Sequence, residues 1–561
     1  MSSAARPAGV RFHSRRHHLM PISSGHWQNY RPCSLSMNGA GGAVAADQPV
    51  VIRETHTLPA VAAVDSAVSQ LNLAISALCS VPPRSSSGII RLEVPIMEKS
   101  AAIDWLHSQR HLPRCYFSGR GQRREPDLIG MSENGHGKEK CLVSVAGVGS
   151  AVSFKGYAPF TLEDWKCIKR FLSEDCPLVR AYGAIRFDAK RDICPEWKEF
   201  GSFYFIVPQV EFDEFEDCSM LASTLAWDDS VLLTWEEAVD GLRATMNQLL
   251  VRFHKLEKLV PRTAIIGCSH VPTEPSWNDS VTKVLQIINR RNSDLVKVVL
   301  ARCSRFMTGT AIDPLALLAS LQVEGQNAYQ FYIQPPNSPA FIGNTPEQLF
   351  HRKFLSISSE ALAGTRARGV TEIEDFQIGQ DLLYSPKDDI EFTIVRESIR
   401  RKLETICNEV IVDPSKGLRR LPRVQHLCAQ LFGKLSREVD EFDILDSLHP
   451  SPAVCGLPSE EARKLIEKHE KFDRGMYAGP VGWFGGSESE FAVGIRSALV
   501  GQDSSTLVYA GAGIVKGTNP SLEWEELDLK TSQFTKVLHH YELGSRLKEV
   551  ENAAGTAARA D

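Results

Sequence analysis

Apolar residues recur along this chain at two spacings, every second residue and every third or fourth. The two alternate throughout, which predicts strands and helices mixed along the sequence. Strand spacing is clearest at residues 295–301, 328–333, 340–342, 356–358 and 507–510, and residues 201–212 read as strand with a proline break. Helical spacing covers residues 101–110, 162–172, 235–259, 280–291 and 388–406. In the last of these, Ile390, Ile394, Val395, Ile399 and Leu403 form one apolar stripe. A polar, proline-containing stretch at 271–279 is read as a boundary between an N-terminal lobe (51–270) and a C-terminal lobe (271–543). Residues 544–561 read as a flexible tail. The fold class expected is α+β.

A few polar positions break these patterns. Lys297 interrupts one face of the 295–301 strand, shared with Val299 and Ala301. A lysine so placed snorkels out, ion-pairs, or works as an amine in an apolar site. Asp388 and Glu391 share a face near the start of the 388–406 helix. Glu523, Glu526 and Lys530 share a face on a helix that Asn519 can cap and Pro520 can begin. That spacing also suits a solvated face with an ordinary ion pair. It gains meaning from what precedes it: Arg496 at the end of a strand, suited to bidentate capture of a carboxylate, and Gly511-Ala512-Gly513, read as a turn whose backbone amides can approach a ligand. Oxygen ligands beside anion donors suggest a carboxylate substrate bridged to a hard cation.

Composition narrows the field without choosing within it. With 561 residues, 43% of them hydrophobic and 23% charged, the chain can bury ample core. A net charge of −5 argues against nucleic acid as partner, and no apolar run is long enough to span a membrane. The 13 cysteines are scattered, with no C-x-x-C pair and no zinc-like spacing, as expected of reduced thiols in an intracellular compartment. The first 46 residues contain no acid but are rich in arginine and serine. Residues 1–50 are therefore read as an organelle transit peptide and linker, plastid rather than mitochondrial. Residues 143–149 (VSVAGVG) begin like a dinucleotide fingerprint, but Val152 stands at the third glycine and no βαβ unit follows, which excludes it.

Several motifs occur together and in order: Lys297-Val-Val-Leu-Ala-Arg302, Gly343-Asn-Thr-Pro-Glu347, Ala363-Gly364-Thr365, the proline-rich run from Leu448-His449 to Gly456, Tyr477-Ala-Gly-Pro480, Gly511-Ala512-Gly513 and Glu523-x-x-Glu526. In this the second half of the chain resembles the chorismate-utilising enzymes, which include anthranilate, aminodeoxychorismate, salicylate and isochorismate synthases. With the leader, the whole chain resembles the isochorismate-forming members of plant plastids. The resemblance implies one large α+β fold of two sheet-containing lobes with helices outside and the site in the cleft.

It also implies roles. Lys297 would activate water for attack at ring C2 of chorismate, and Glu347, kept protonated by burial, would protonate the departing C4 hydroxyl. Ammonia-using relatives carry glutamine in place of Lys297, and aminodeoxychorismate synthases a nucleophilic lysine at Ala363. Magnesium would be held by Glu391 and Glu526 with Asp388 and Glu523 in support. Arg496, Tyr477 and the amides of Gly511, Ala512 and Gly513 would hold the side-chain carboxylate. Lys530, His449 and Ala363-Gly364-Thr365 would complete the pocket. Phe392 and Asn344 depart from the common pattern without removing a charged ligand. The product would feed salicylate or phylloquinone synthesis, and a plastid-stromal monomer is expected. A salicylate synthase that also eliminates pyruvate shares the same lysine and glutamate, and anthranilate synthase or a non-catalytic chorismate binder are the remaining readings.

Overall fold

The alternating strands form two large antiparallel-dominated sheets, seen in a computed structural model that describes residues 48–120, 141–231, 233–256, 264–324, 328–414, 416–436 and 441–557. The expected leader lies outside the described residues up to position 47. Among the described residues one sheet has thirteen strands and the other ten. Helices pack on them, so the α+β expectation holds.

Both sheets draw strands from either side of residue 270. Arg114–Ser118 pairs with Tyr329–Gln334 in the larger sheet, and Ala181–Ile185 pairs with Pro480–Phe484 in the smaller. The stretch read as an inter-lobe boundary is instead the end of the edge strand Ile265–Val271 and the first turn of helix Glu274–Ile288, where Pro275 is tolerated because its missing N–H needs no partner. One hydrophobic core joins the sheets, containing Phe331 and Phe341 of the larger together with Phe205, Phe350 and Phe491 of the smaller. Among the described residues no helix is long and apolar enough to cross a membrane.

The site depends on how the chain passes between the sheets. It leaves the larger sheet at the end of strand Ala340–Thr345 and enters the smaller at the start of Gln348–Lys353, so Pro346 and Glu347 form a two-residue bridge. It returns between Glu488–Val493 and Ser497–Val500, and Arg496 lies on that second bridge. The crossings run side by side. Val493 N–H donates to the Glu347 carbonyl at 3.0 Å, and Asn344 N–H donates to the Arg496 carbonyl at 3.1 Å. Residues 343–345 are thus strand, and only Pro346 and Glu347 lie off the ladders.

Gly511-Ala512-Gly513 is likewise not a turn but the end of strand Ser505–Ile514, paired with Lys297–Thr308. Helix Trp235–Gln248 ends earlier than its apolar spacing suggested, and the C-terminal helix Pro520–Ala557 continues beyond Leu543, where a frayed tail was expected. Residues 143–148 fall on strand Leu142–Val148, which is followed by a second strand, Val152–Gly156.

Candidate active site

Lys297 begins its strand with its side chain only 1% exposed, and its Nζ stands 2.9 Å from the Glu391 carboxylate. Rather than snorkelling out, it points inward to the cavity, against Glu391. Glycine makes this possible. Val299 sits opposite Gly513 in the ladder, and a Cβ on Gly513 would meet Glu391 Oε1 at 2.3 Å and Lys297 Cε at 3.0 Å.

Across the cavity stands Glu347, its own N–H 3.4 Å from Thr345 Oγ1. Burial and the nearby Glu360 charge push its carboxyl up to about 8, against the opposing pull of Lys297, Lys530 and Arg419. At neutral pH Glu347 is therefore a carboxylic acid with a proton to give.

The remaining wall is built by strand Ser356–Ala367, whose Ala363, Gly364 and Thr365 line the cavity, and by Tyr477, Arg496 and Lys530. Gly364 has φ +68°, and a Cβ there would press on Asp388 and Leu382. Tyr477 stacks on Tyr509 with ring centroids 5.2 Å apart, and its hydroxyl would lie 2.9 Å from a Cβ on Gly511. Lys530 donates to the Gly511 carbonyl at 2.8 Å and pairs with Glu526 at 2.6 Å. Arg496, with a left-handed φ of +51°, is buried; loss of water pulls its guanidinium down to about 10.

Two expected pocket members point elsewhere. His449 is absent from the lining. Its ring lies 3.2 Å from the Phe187 carbonyl and edge-on to Phe187, and burial pushes it down to about 3, so it is neutral and donates from Nε2. Ala512 is absent from the lining, so of the three only Gly511 and Gly513 border the cavity, together with Tyr509 and Ala510 of the same strand.

His426 was missed by sequence reading. It reaches the cavity because strand Val424–Leu435 pairs with Ser356–Ala367 in a register that sets it against Thr365. Its Nδ1 lies 3.0 Å from the Gly364 carbonyl and its Nε2 3.3 Å from Arg496. Burial and the Arg496 charge hold it down at about 3. Nothing in the local sequence marks it; the signal is the strand pairing.

The acidic residues separate into two kinds. Asp388, expected near a cation, is taken by Arg366 at 2.5 Å. Glu391, Glu523 and Glu526 are each matched by a lysine, respectively Lys297, Lys387 and Lys530. All three carboxylates act electrostatically on the single ammonium of Lys387, which they hold up. Burial and the repulsion of Glu526 raise Glu523 to about 7. A buried, oxygen-only set under mutual repulsion is one that a hard divalent ion would relieve, so these residues fit magnesium. Among the described residues no three His, Cys, Asp or Glu side chains are already drawn together as a ligand set.

Residues 140–539 match the family model described as chorismate binding enzyme. Isochorismate synthase, chloroplastic, of Catharanthus roseus is 54% identical over 523 residues, covering 90% of each chain. Isochorismate synthase 2, chloroplastic, of Arabidopsis thaliana is 55% identical over 516 residues, covering 91% of each. The solved structure of MenF, the menaquinone-specific isochorismate synthase from Escherichia coli, superposes with a TM-score of 0.69 at 25% identity, covering 85% of this chain and 99% of that one.

Proposed function

As this chain belongs to the chorismate binding enzyme family, we propose that it converts chorismate to isochorismate in the cavity between Lys297 and Glu347. The observation that carries the reading is this pair: a buried lysine nitrogen held inward beside Glu391 shares the cavity with a glutamic acid that burial keeps protonated. Identity above 50% along nine-tenths of two plant isochorismate synthases supports the same reaction.

In the step proposed, Lys297 as free amine takes a proton from water as that water attacks ring C2. The two ring double bonds shift, and the C4 hydroxyl leaves as water on receiving the Glu347 proton. One water enters and one departs, so the change is an isomerisation. Arg496 and Tyr477 hold the side-chain carboxylate, and Lys530, fixed by Gly511 and Glu526, balances its charge. Magnesium would be held by Glu391 and Glu526 with Glu523 beside them, and would supply charge neutralisation for the ring carboxylate.

The plant relatives are named chloroplastic, and the acid-free leader fits delivery to a plastid, where a stromal monomer would supply isochorismate for salicylate or phylloquinone. Incubating leader-free protein with chorismate and magnesium tests the reaction. Isochorismate as sole product is expected; salicylate with pyruvate, anthranilate, or unchanged chorismate would each overturn it.

A further inference from the structure

We propose that Glu360, gripped by Arg120 and Arg419, is a positioning residue that holds the backbone on both sides of the general acid; the inference rests on Glu347 being that acid. The bridge Pro346–Glu347 lies between two sheets, so it lacks the continuous ladder that fixes a strand residue. A proline in it has no N–H to offer either.

Glu360 replaces that ladder. Arg120 approaches its carboxylate with Nη1 at 2.7 Å and Nη2 at 2.6 Å, and Arg419 with Nη1 at 2.7 Å and Nη2 at 2.5 Å. The same two Nη1 atoms donate to the Pro346 carbonyl at 2.8 and 3.0 Å. Gln348 N–H donates to Glu360 Oε2 at 3.3 Å, and Gln430 adds a further hydrogen bond. The carbonyl before Glu347 and the amide after it are thereby held by one buried cluster. Arg120 follows a strand of the larger sheet and Arg419 lies on a strand of the smaller, so each sheet contributes one arginine to the bridge between them.

The cluster also sets the charge that Glu347 meets. The groups acting on Glu347 are Glu360, Arg419, Lys297 and Lys530, with Tyr477 across the cavity. Glu360 is the one negative charge among them and cancels an arginine; without it the two guanidiniums would favour ionised Glu347. A merely structural ion cluster would cost stability when broken but would leave the titration of Glu347 where it was.

Glu360→Gln, Arg419→Lys and Glu347→Gln are compared with the parent. Two readouts are followed against pH: the infrared band of the protonated Glu347 carboxyl, identified by its loss in Glu347→Gln, and kcat and KM for chorismate. Glu360→Gln should move the band midpoint and the alkaline limb of kcat to lower pH, by about tenfold or more in proton affinity. Its kcat at neutral pH should fall by up to about 10²-fold, as a misplaced catalytic group does, with KM changed less than about threefold. Arg419→Lys keeps the charge but loses the fork, and should lower kcat by about tenfold. Parental midpoint and kcat in folded Glu360→Gln would overturn the proposal. If that variant does not fold, parental values in Arg419→Lys would do so. A parent that shows the Glu347 band yet forms no isochorismate would refute the reaction, while the band shift would still judge the clamp.

Discussion

Glu347 and Glu360 are both buried, 4% and 1% exposed, and their carboxyls behave in opposite ways. Glu360 is held down at about 2 because the hydrogen bonds and charges of Arg419 and Arg120 outweigh the cost of burial. Glu347 is pushed up to about 8, because burial and its charged neighbour outweigh two lysines and an arginine that are not hydrogen-bonded to it. Burial alone therefore decides neither. A fork in contact charges a buried acid, and its absence leaves the acid protonated and able to donate.

The largest effect should come from removing the proton-bearing member of this pair. Glu347→Gln should lower kcat by about 10²–10⁴-fold while chorismate affinity stays close to the parent's, measured by steady-state kinetics and equilibrium binding. The parent's kcat should itself decline as pH rises through about 8, where Glu347 loses its proton. Above that pH the raised carboxyl is an anion and has nothing to give the leaving hydroxyl.

Next in size is the acidic cluster, where Glu391, Glu523 and Glu526 are each matched by a lysine rather than an arginine fork among the described residues. Glu391→Gln or Glu526→Gln should raise the magnesium concentration needed for half-maximal rate by at least about tenfold. Chelator should abolish parental turnover, and full activity in chelator would assign these acids to structure alone.

A smaller change is expected at Gly513. Gly513→Ala forces the Lys297–Glu391 pair apart at its flexible ends, so kcat should drop by about tenfold while thermal stability stays nearly parental. A parental kcat would show that the close approach is dispensable.

Least of all should follow at His449, which lies outside the cavity. His449→Phe leaves the Phe187 carbonyl unpaired, costing about 1–3 kcal/mol of stability, with kcat/KM within about twofold of the parent's. A large loss of turnover with unchanged melting would return His449 to the site.

The residues legible in sequence are those whose meaning is local. Glu523, Glu526 and Lys530 share a helix face by spacing alone, and Lys297 is conspicuous because it breaks an apolar strand. Gly511 and Gly513 were recognised as points of close approach, but they act within a strand rather than a turn, since the clearance they give is to Tyr477, Lys297 and Glu391. His426, Arg419 and Arg120 were not legible, because their roles arise from cross-strand register and from contacts between sheets. Asp388 shared a helix face with Glu391 as expected, yet Arg366 from the neighbouring strand claims it. Even the division into lobes fails at this level: the periodicity marks each strand but not its partner, and Arg114–Ser118 finds its partner beyond residue 270.

Water activation in this cavity depends most directly on Lys297. Lys297→Ala, assayed for isochorismate formation with saturating chorismate and magnesium, should fold, bind chorismate and lose turnover by about 10²–10⁴-fold. Near-parental isochorismate formation by that variant would contradict water activation by Lys297.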